Sequence, residues 1–172
     1  MFVLGVDPGV SRCGYGCIST DRAAGEHTSV VAMGVITTPP ADELPVRLAA
    51  LNAELHRLLV ELHPAVVAVE RLFFQANART AMSVGQASGL VLAAASAAGA
   101  RVVQYTPNEV KQAVAGYGGA PKEQVQRMVQ AQLKLSDPPR PPDVADALAL
   151  ALCHLAMAPL EASIRAATAA AK

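Results

Sequence analysis

The chain has 172 residues, 52% of them apolar and only 3% aromatic, with 14 basic and 14 acidic side chains in balance. That length suits one domain whose core is filled by Ala, Val and Leu. No uninterrupted apolar run reaches the ~18 residues of a helical membrane span, and the opening Met-Phe-Val-Leu-Gly-Val-Asp lacks the basic and cleavage segments of an export signal, so a cytoplasmic protein is expected.

Phe2 to Val6 is a short apolar run and predicts a buried strand, closed by the turn chemistry of Asp7-Pro8-Gly9. Gly14 to Thr20 and Ser29 to Thr37 predict two more strands around a polar turn, which together make an antiparallel meander. After Pro39 and Pro40, leucines 44, 48, 51, 55, 58, 59 and 62 recur at helical spacing, and Pro64 closes that helix. Ala65 to Val69 is continuous, apolar and too short for a helix, which predicts a buried parallel strand.

A second helix is expected over Asn77 to Ala98, a fifth strand over Arg101 to Tyr105, and a short helix from Pro107 to about Ala115. Gly116 to Ala120 is a glycine-rich loop, and Pro121 suits the first position of a helix ending near Leu133. Ser136 to Pro142 is a proline-rich connector. The last helix is expected to end near Ala158, leaving one domain over 1–160 and an alanine-rich, frayed tail over 161–172. The fold class is therefore α/β: a three-strand meander extended by two parallel strands with helical crossovers, in a mixed five-stranded sheet.

Four carboxylates occupy telling places. Asp7 and Glu70 each follow a strand, and Asp143 and Asp146 lie three apart at the start of the last helix, on one face. Each has an ordinary explanation: Asp-Pro-Gly opens turns, a strand-end glutamate is easily solvated, and first-turn acids suit a helix dipole. Asp146, however, begins the run Asp-Ala-Leu-Ala-Leu-Ala-Leu, an apolar setting in which an acid needs a partner. Gathered at one sheet edge, the four form an oxygen-rich site for divalent cations.

Other residues carry less. Cys13, Cys17 and Cys153 have no metal or disulfide spacing and read as buried thiols. His27, His56, His63 and His154 read as surface or helix-end residues, and no phosphate-cradling GxxxxGK[ST] loop is present. From Arg71 to Arg140 there are eight basic residues against three acidic ones, which suits either a nucleic-acid surface or a solvated helix face. Phe73 and Phe74, two of three phenylalanines, follow Glu70 in an expected loop, either to stack on unpaired bases or to anchor the loop or a dimer contact. Ala81, Gly85, Ser88, Gly89, Leu92, Ala95 and Ser96 line one side of the second helix, permitting close approach of its own sheet or of a second copy.

These residues together resemble the RuvC-type Holliday-junction resolvases. The matching stretches are Val3 to Gly9 with Gly14-Tyr15-Gly16, Val69 to Phe73 with Asn77, Gly85 to Gly89, Val110 to Val114, Lys122 to Gln126, and Asp143 to Ala149. The similarity runs from about Phe2 to Ala158 in nearly unbroken register. It implies a ribonuclease-H-like fold, a homodimer, and metal-dependent paired nicking of four-way DNA junctions in recombination and repair, leaving 5′-phosphate and 3′-hydroxyl ends. It implies Asp7, Glu70, Asp143 and Asp146 as ligands of two Mg²⁺ ions, with Mn²⁺ as an alternative, although some members carry histidine at the position of Asp143. It further implies Phe73, Lys111 and Lys122 as DNA-contacting residues and a RuvA–RuvB branch-migration complex as partner. The Gly-x-Asp-x-Gly opening also begins actin-like and sugar-kinase ATP-binding domains, but those need a second lobe for which this chain is too short.

Overall fold

In the computed structural model the described residues are 1–21, 27–71 and 78–170. Five strands, β1 (Phe2–Asp7), β2 (Arg12–Asp21), β3 (His27–Thr37), β4 (Val66–Glu70) and β5 (Arg101–Tyr105), form one sheet in the order β3-β2-β1-β4-β5. β1, β2 and β3 pair antiparallel as the meander, and β4 and β5 continue parallel to β1. The helices are α1 (Leu44–Leu62), α2 (Ala78–Ala97), α3 (Pro107–Ala115), α4 (Lys122–Gln132) and α5 (Pro142–Ala170).

Strand alternation divides the core into two layers. Leu4 and Val6 of β1 and Val67 and Val69 of β4 pack with the leucines of α1 and with Ala87, Val91 and Ala95 of α2. Val3 of β1 and Val66 and Ala68 of β4 pack on the opposite side with α3, α4 and α5. Both layers are aliphatic, because there is no Trp and little other aromatic mass to fill them. The three cysteines are free and buried, as expected.

α5 lies against β1 and β2 at backbone distance. A Cβ added at Gly5 would fall 1.9 Å from the carbonyl oxygen of Ala147, and one at Gly14 would fall 2.2 Å from that of Asp143. Strand glycines commonly mark such close approaches. Here they let the last helix settle directly onto the middle of the sheet.

The structure differs from the sequence reading in a few places. β2 begins at Arg12 and β3 at His27, two residues earlier than expected, because their ladder runs from Arg12↔Thr37 to Asp21↔His27. Pro121 is the cap of α4 and not its first helical residue, since its ψ of 155° is extended. α5 does not end near Ala158 but continues past Pro159 to Ala170, in keeping with the high helix propensity of its alanines. His154 is not a surface residue: it is 1% exposed, and its Nδ1 shares a 2.7 Å hydrogen bond with the hydroxyl of buried Tyr105. That bond meets the polar requirement of a side chain inside an apolar helix. His63 is a helix-end residue as expected, capping α1 in the left-handed region with φ 43°.

Candidate active site

Strand parity and register bring the first two acids together. Asp7 has the parity of Val3 and Gly5, and Glu70 that of Val66 and Ala68, so both point to the α5 side of the sheet. β1 and β4 are parallel neighbours with Val6 opposite Val69, which sets Asp7 and Glu70 level at the carboxyl ends of adjacent strands. Ligand sites of open α/β sheets favour this edge. α5 reaches the same edge with its first two turns, because Asp143 rides over Gly14, the partner of Asp7 in the β1–β2 ladder.

The electrostatics follow from that crowding. Burial, joined by the charges of Asp146, Glu70 and Asp143, pushes the Asp7 carboxyl up to about 7, against a partial opposing pull from Lys122. Glu70 is also raised, by burial first and Asp146 second, while Lys122 and Lys111 draw it down. Asp143 is lowered, chiefly by its hydrogen bond from Arg12. Lys122 is raised by its hydrogen bond to Asp146.

Two cations hold the helix acids. Arg12 donates through Nη2 at 2.8 Å and Nε at 3.1 Å to the same Asp143 oxygen. Lys122 Nζ donates to Asp146 at 2.6 Å. With the carboxylates so turned, no three acidic, histidine or cysteine side chains among the described residues stand close enough to share an ion. The donor set nonetheless suits a divalent cation: hard oxygens from four acids, mutually repelling and partly desolvated, in a cluster that positive charge relieves.

Beside the acids is a cavity of about 400 Å³, lined by Glu70, Lys111, Gly119, Lys122 and Asp146 among others. The glycine-rich loop between α3 and α4 forms one wall. α3 is fixed below it by a complete capping box, in which Thr106 accepts from the Glu109 N–H and the Glu109 carboxylate accepts from the Thr106 N–H. Lys111 and Lys122, expected as DNA-contacting residues, both line this cavity. Phe73 and Phe74 lie outside the described residues.

Sequence reasoning missed two contributors. Arg12 sits in the first position of β2, and nothing local signals a partner 131 residues away. Gly14 carried a usable signal, an interior strand glycine, but its effect on Asp143 requires knowing which helix lies above it.

The chain is similar to known proteins along most of its length. A family model described as crossover junction endodeoxyribonuclease RuvC matches residues 3–154. The crossover junction endodeoxyribonuclease RuvC of Moorella thermoacetica is 52% identical over 159 residues, covering 92% of this chain and 93% of that protein. A structure of Thermus thermophilus RuvC superposes with a TM-score of 0.85 at 38% identity, covering 94% of this chain and 97% of that one. A second, of T. thermophilus RuvC in complex with a Holliday junction substrate, gives 0.83 at 37% identity, with 93% and 96% covered. A ribonuclease-H-like sheet whose strand ends and last helix bring four acids to one edge, matched nearly end to end by these proteins, places the chain in the RuvC family of crossover junction endodeoxyribonucleases.

Proposed function

We propose that the protein is a structure-selective endodeoxyribonuclease that resolves four-way DNA junctions by paired symmetric nicks during recombination and repair. The observation that carries this reading is the levelling of Asp7 and Glu70 on adjacent parallel strands beneath the first turns of α5. Asp7, Glu70, Asp143 and Asp146 would hold two divalent cations, Mg²⁺ or Mn²⁺. When bound, such cations supply charge for the leaving oxyanion and lower the pKa of an attacking water.

The chain's own residues do the rest. Asp7, the most crowded of the four, would be a principal ligand. Lys111 and Lys122 offset the acids' repulsion toward a polyanion and offer phosphate contacts across the adjoining cavity. By likeness to the RuvC family, hydrolysis would leave 5′-phosphate and 3′-hydroxyl ends.

The matching test uses a labelled immobile junction, a matched DNA duplex and an RNA duplex, each with and without Mg²⁺. Symmetric nicking of the junction alone, and only with metal, is the expected result. Equal cutting of the RNA duplex, or none of the junction, refutes the reading. If the two lysines contact phosphates, Lys111→Ala and Lys122→Ala each lower the salt dependence of junction binding by about one ion. Unchanged slopes remove them from the interface.

Phe73 is assigned to stacking at the crossover because, by resemblance, it holds the family's aromatic position after Glu70-Arg71-Leu72. With 2-aminopurine at the crossover, Phe73→Ala should lose the fluorescence rise that accompanies unstacking. A rise equal to that of the unaltered protein rejects the assignment.

Two symmetric cuts suit a two-fold homodimer. α2 gives this support: Ala87, Ser88, Val91, Ala94 and Ala95 are buried, whereas a Cβ at Gly85 or Gly89 would meet nothing within 4 Å. The small-residue side of α2 is thus only partly used by its own sheet. A RuvA–RuvB branch-migration complex and a cytoplasmic location complete the proposal. Among the described residues no helix is long and apolar enough to cross a membrane.

A further inference from the structure

The two cations that hold the helix acids are not anchored alike. Lys122 lies in the first turn of α4, beside the cavity it lines. Arg12 follows directly on the turn that leaves Asp7, and that turn is fastened from behind. Thr38 donates through its hydroxyl to the Val10 carbonyl at 2.6 Å, Arg47 Nε donates to the same hydroxyl at 2.9 Å, and Arg47 Nη2 donates to the Ser11 hydroxyl at 2.5 Å. The Arg12 backbone is further held in the β2–β3 ladder opposite Thr37. Its side chain, by contrast, is 48% exposed. The backbone is fixed, and the guanidinium reaches Asp143 from the solvent side.

Among the described residues Asp143 is the one carboxylate that acts on Arg12. Both Arg12 donors end on a single Asp143 oxygen. An ion arriving at Asp143 competes for that oxygen with twice the charge. A guanidinium displaced there stands on the rim of the acid cluster, in water, with a planar fork that matches a phosphate.

We propose that Arg12 is a place-holding cation and a conditional phosphate ligand: it neutralises Asp143 while the acids are metal-free, and turns to a DNA backbone phosphate when Asp143 takes a metal. The phosphate half of this rests on the junction-binding function proposed above. The arrangement makes metal and DNA mutually reinforcing, because each favours the state in which Arg12 has left Asp143. The occupant of the freed guanidinium is the junction's own phosphate.

The test uses the full chain with Arg12→Gln and, as a charge-retaining control that guards against loss of folding, Arg12→Lys. Mn²⁺ binding without DNA is measured by calorimetry. Arg12→Gln should bind Mn²⁺ roughly two- to fivefold more tightly than the unaltered protein, because a competitor worth an exposed ion pair is gone. The salt dependence of junction binding is then measured in EDTA and in Ca²⁺. In Ca²⁺, Arg12→Gln should show a slope lower by about one ion, with Arg12→Lys unchanged; in EDTA all three slopes should coincide. A residue that merely supports the fold would weaken Mn²⁺ binding and would not distinguish EDTA from Ca²⁺. Mn²⁺ binding by Arg12→Gln that is equal to or weaker than the unaltered protein's overturns the place-holding role. A slope difference that is absent in Ca²⁺, or equally present in EDTA, overturns the phosphate role. Failure of the unaltered protein to bind the junction at all falls on the proposed function instead, and the Mn²⁺ comparison still decides the place-holding role.

Discussion

Asp7→Asn abolishes junction cutting and, in the absence of divalent cations, makes the protein more stable. The two effects have one origin. Asp7 is a desolvated carboxylate facing three other acids, and its pKa rises from 3.8 to about 7. A folded-state pKa above the unfolded value means that the folded chain binds the proton more readily. Metal-free stability therefore falls as pH rises from about 4 to about 7, and the full cost is present above that window. The amide has no charge to desolvate and repels no neighbour.

In EDTA the variant should match the unaltered protein near pH 4 and exceed it at pH 8 by on the order of 2 kcal/mol. For a chain of this size that is roughly 4–8 °C in melting temperature. Cleavage with Mg²⁺ should fall at least about a thousandfold, with junction affinity largely kept. A variant that melts below the unaltered protein at pH 8 in EDTA, or that still turns over, removes Asp7 from the centre of the cluster.

The second large effect comes from a residue with no chemistry of its own. Gly14→Ala places a methyl group 2.2 Å from the Asp143 carbonyl oxygen, 2.7 Å from its carbonyl carbon and 3.0 Å from its Cβ. Those are mostly backbone atoms of a helix and cannot swing aside, so the first turn of α5 must lift or β2 must bend. Overpacking of this kind typically costs ~1–3 kcal/mol, or roughly 2–12 °C in melting temperature. The lift also moves Asp143 relative to Asp7. A misplacement of about an ångström at a reacting centre is worth about a hundredfold in rate. Circular dichroism melts and junction cleavage, taken together, check both parts. A melting temperature and rate within error of the unaltered protein would mean that α5 does not rest on β2 as described.

Much of the architecture is written in local patterns. The continuous apolar runs of β1 and β4 announce buried strands, and the leucines of α1 announce a helix that covers a sheet. The four acids were legible for a related reason: Asp7 and Glu70 close strands and Asp143 and Asp146 open a helix that could be read, so each had a known place at an element end. The features that escaped depend on contacts between distant segments. Arg12 looks like any turn arginine until α5 is laid over β2. His154 looks like a helix-end residue until Tyr105 is found at hydrogen-bond distance. The reach of α5 past Pro159 was hidden because a proline in a sequence reads as a stop, whereas an alanine-rich run beyond it can carry the helix onward.

The acids are drawn from β1, β4 and α5, so the cluster exists only once segments far apart in the chain have met. A product of interrupted translation that stops before Pro142 has Asp7 and Glu70 but lacks α5, the element that covers their side of the sheet and carries the other two carboxylates. Such a fragment has half of the acid cluster. Chain order thus acts as a safety catch, released only once α5 has been made and has settled on the sheet.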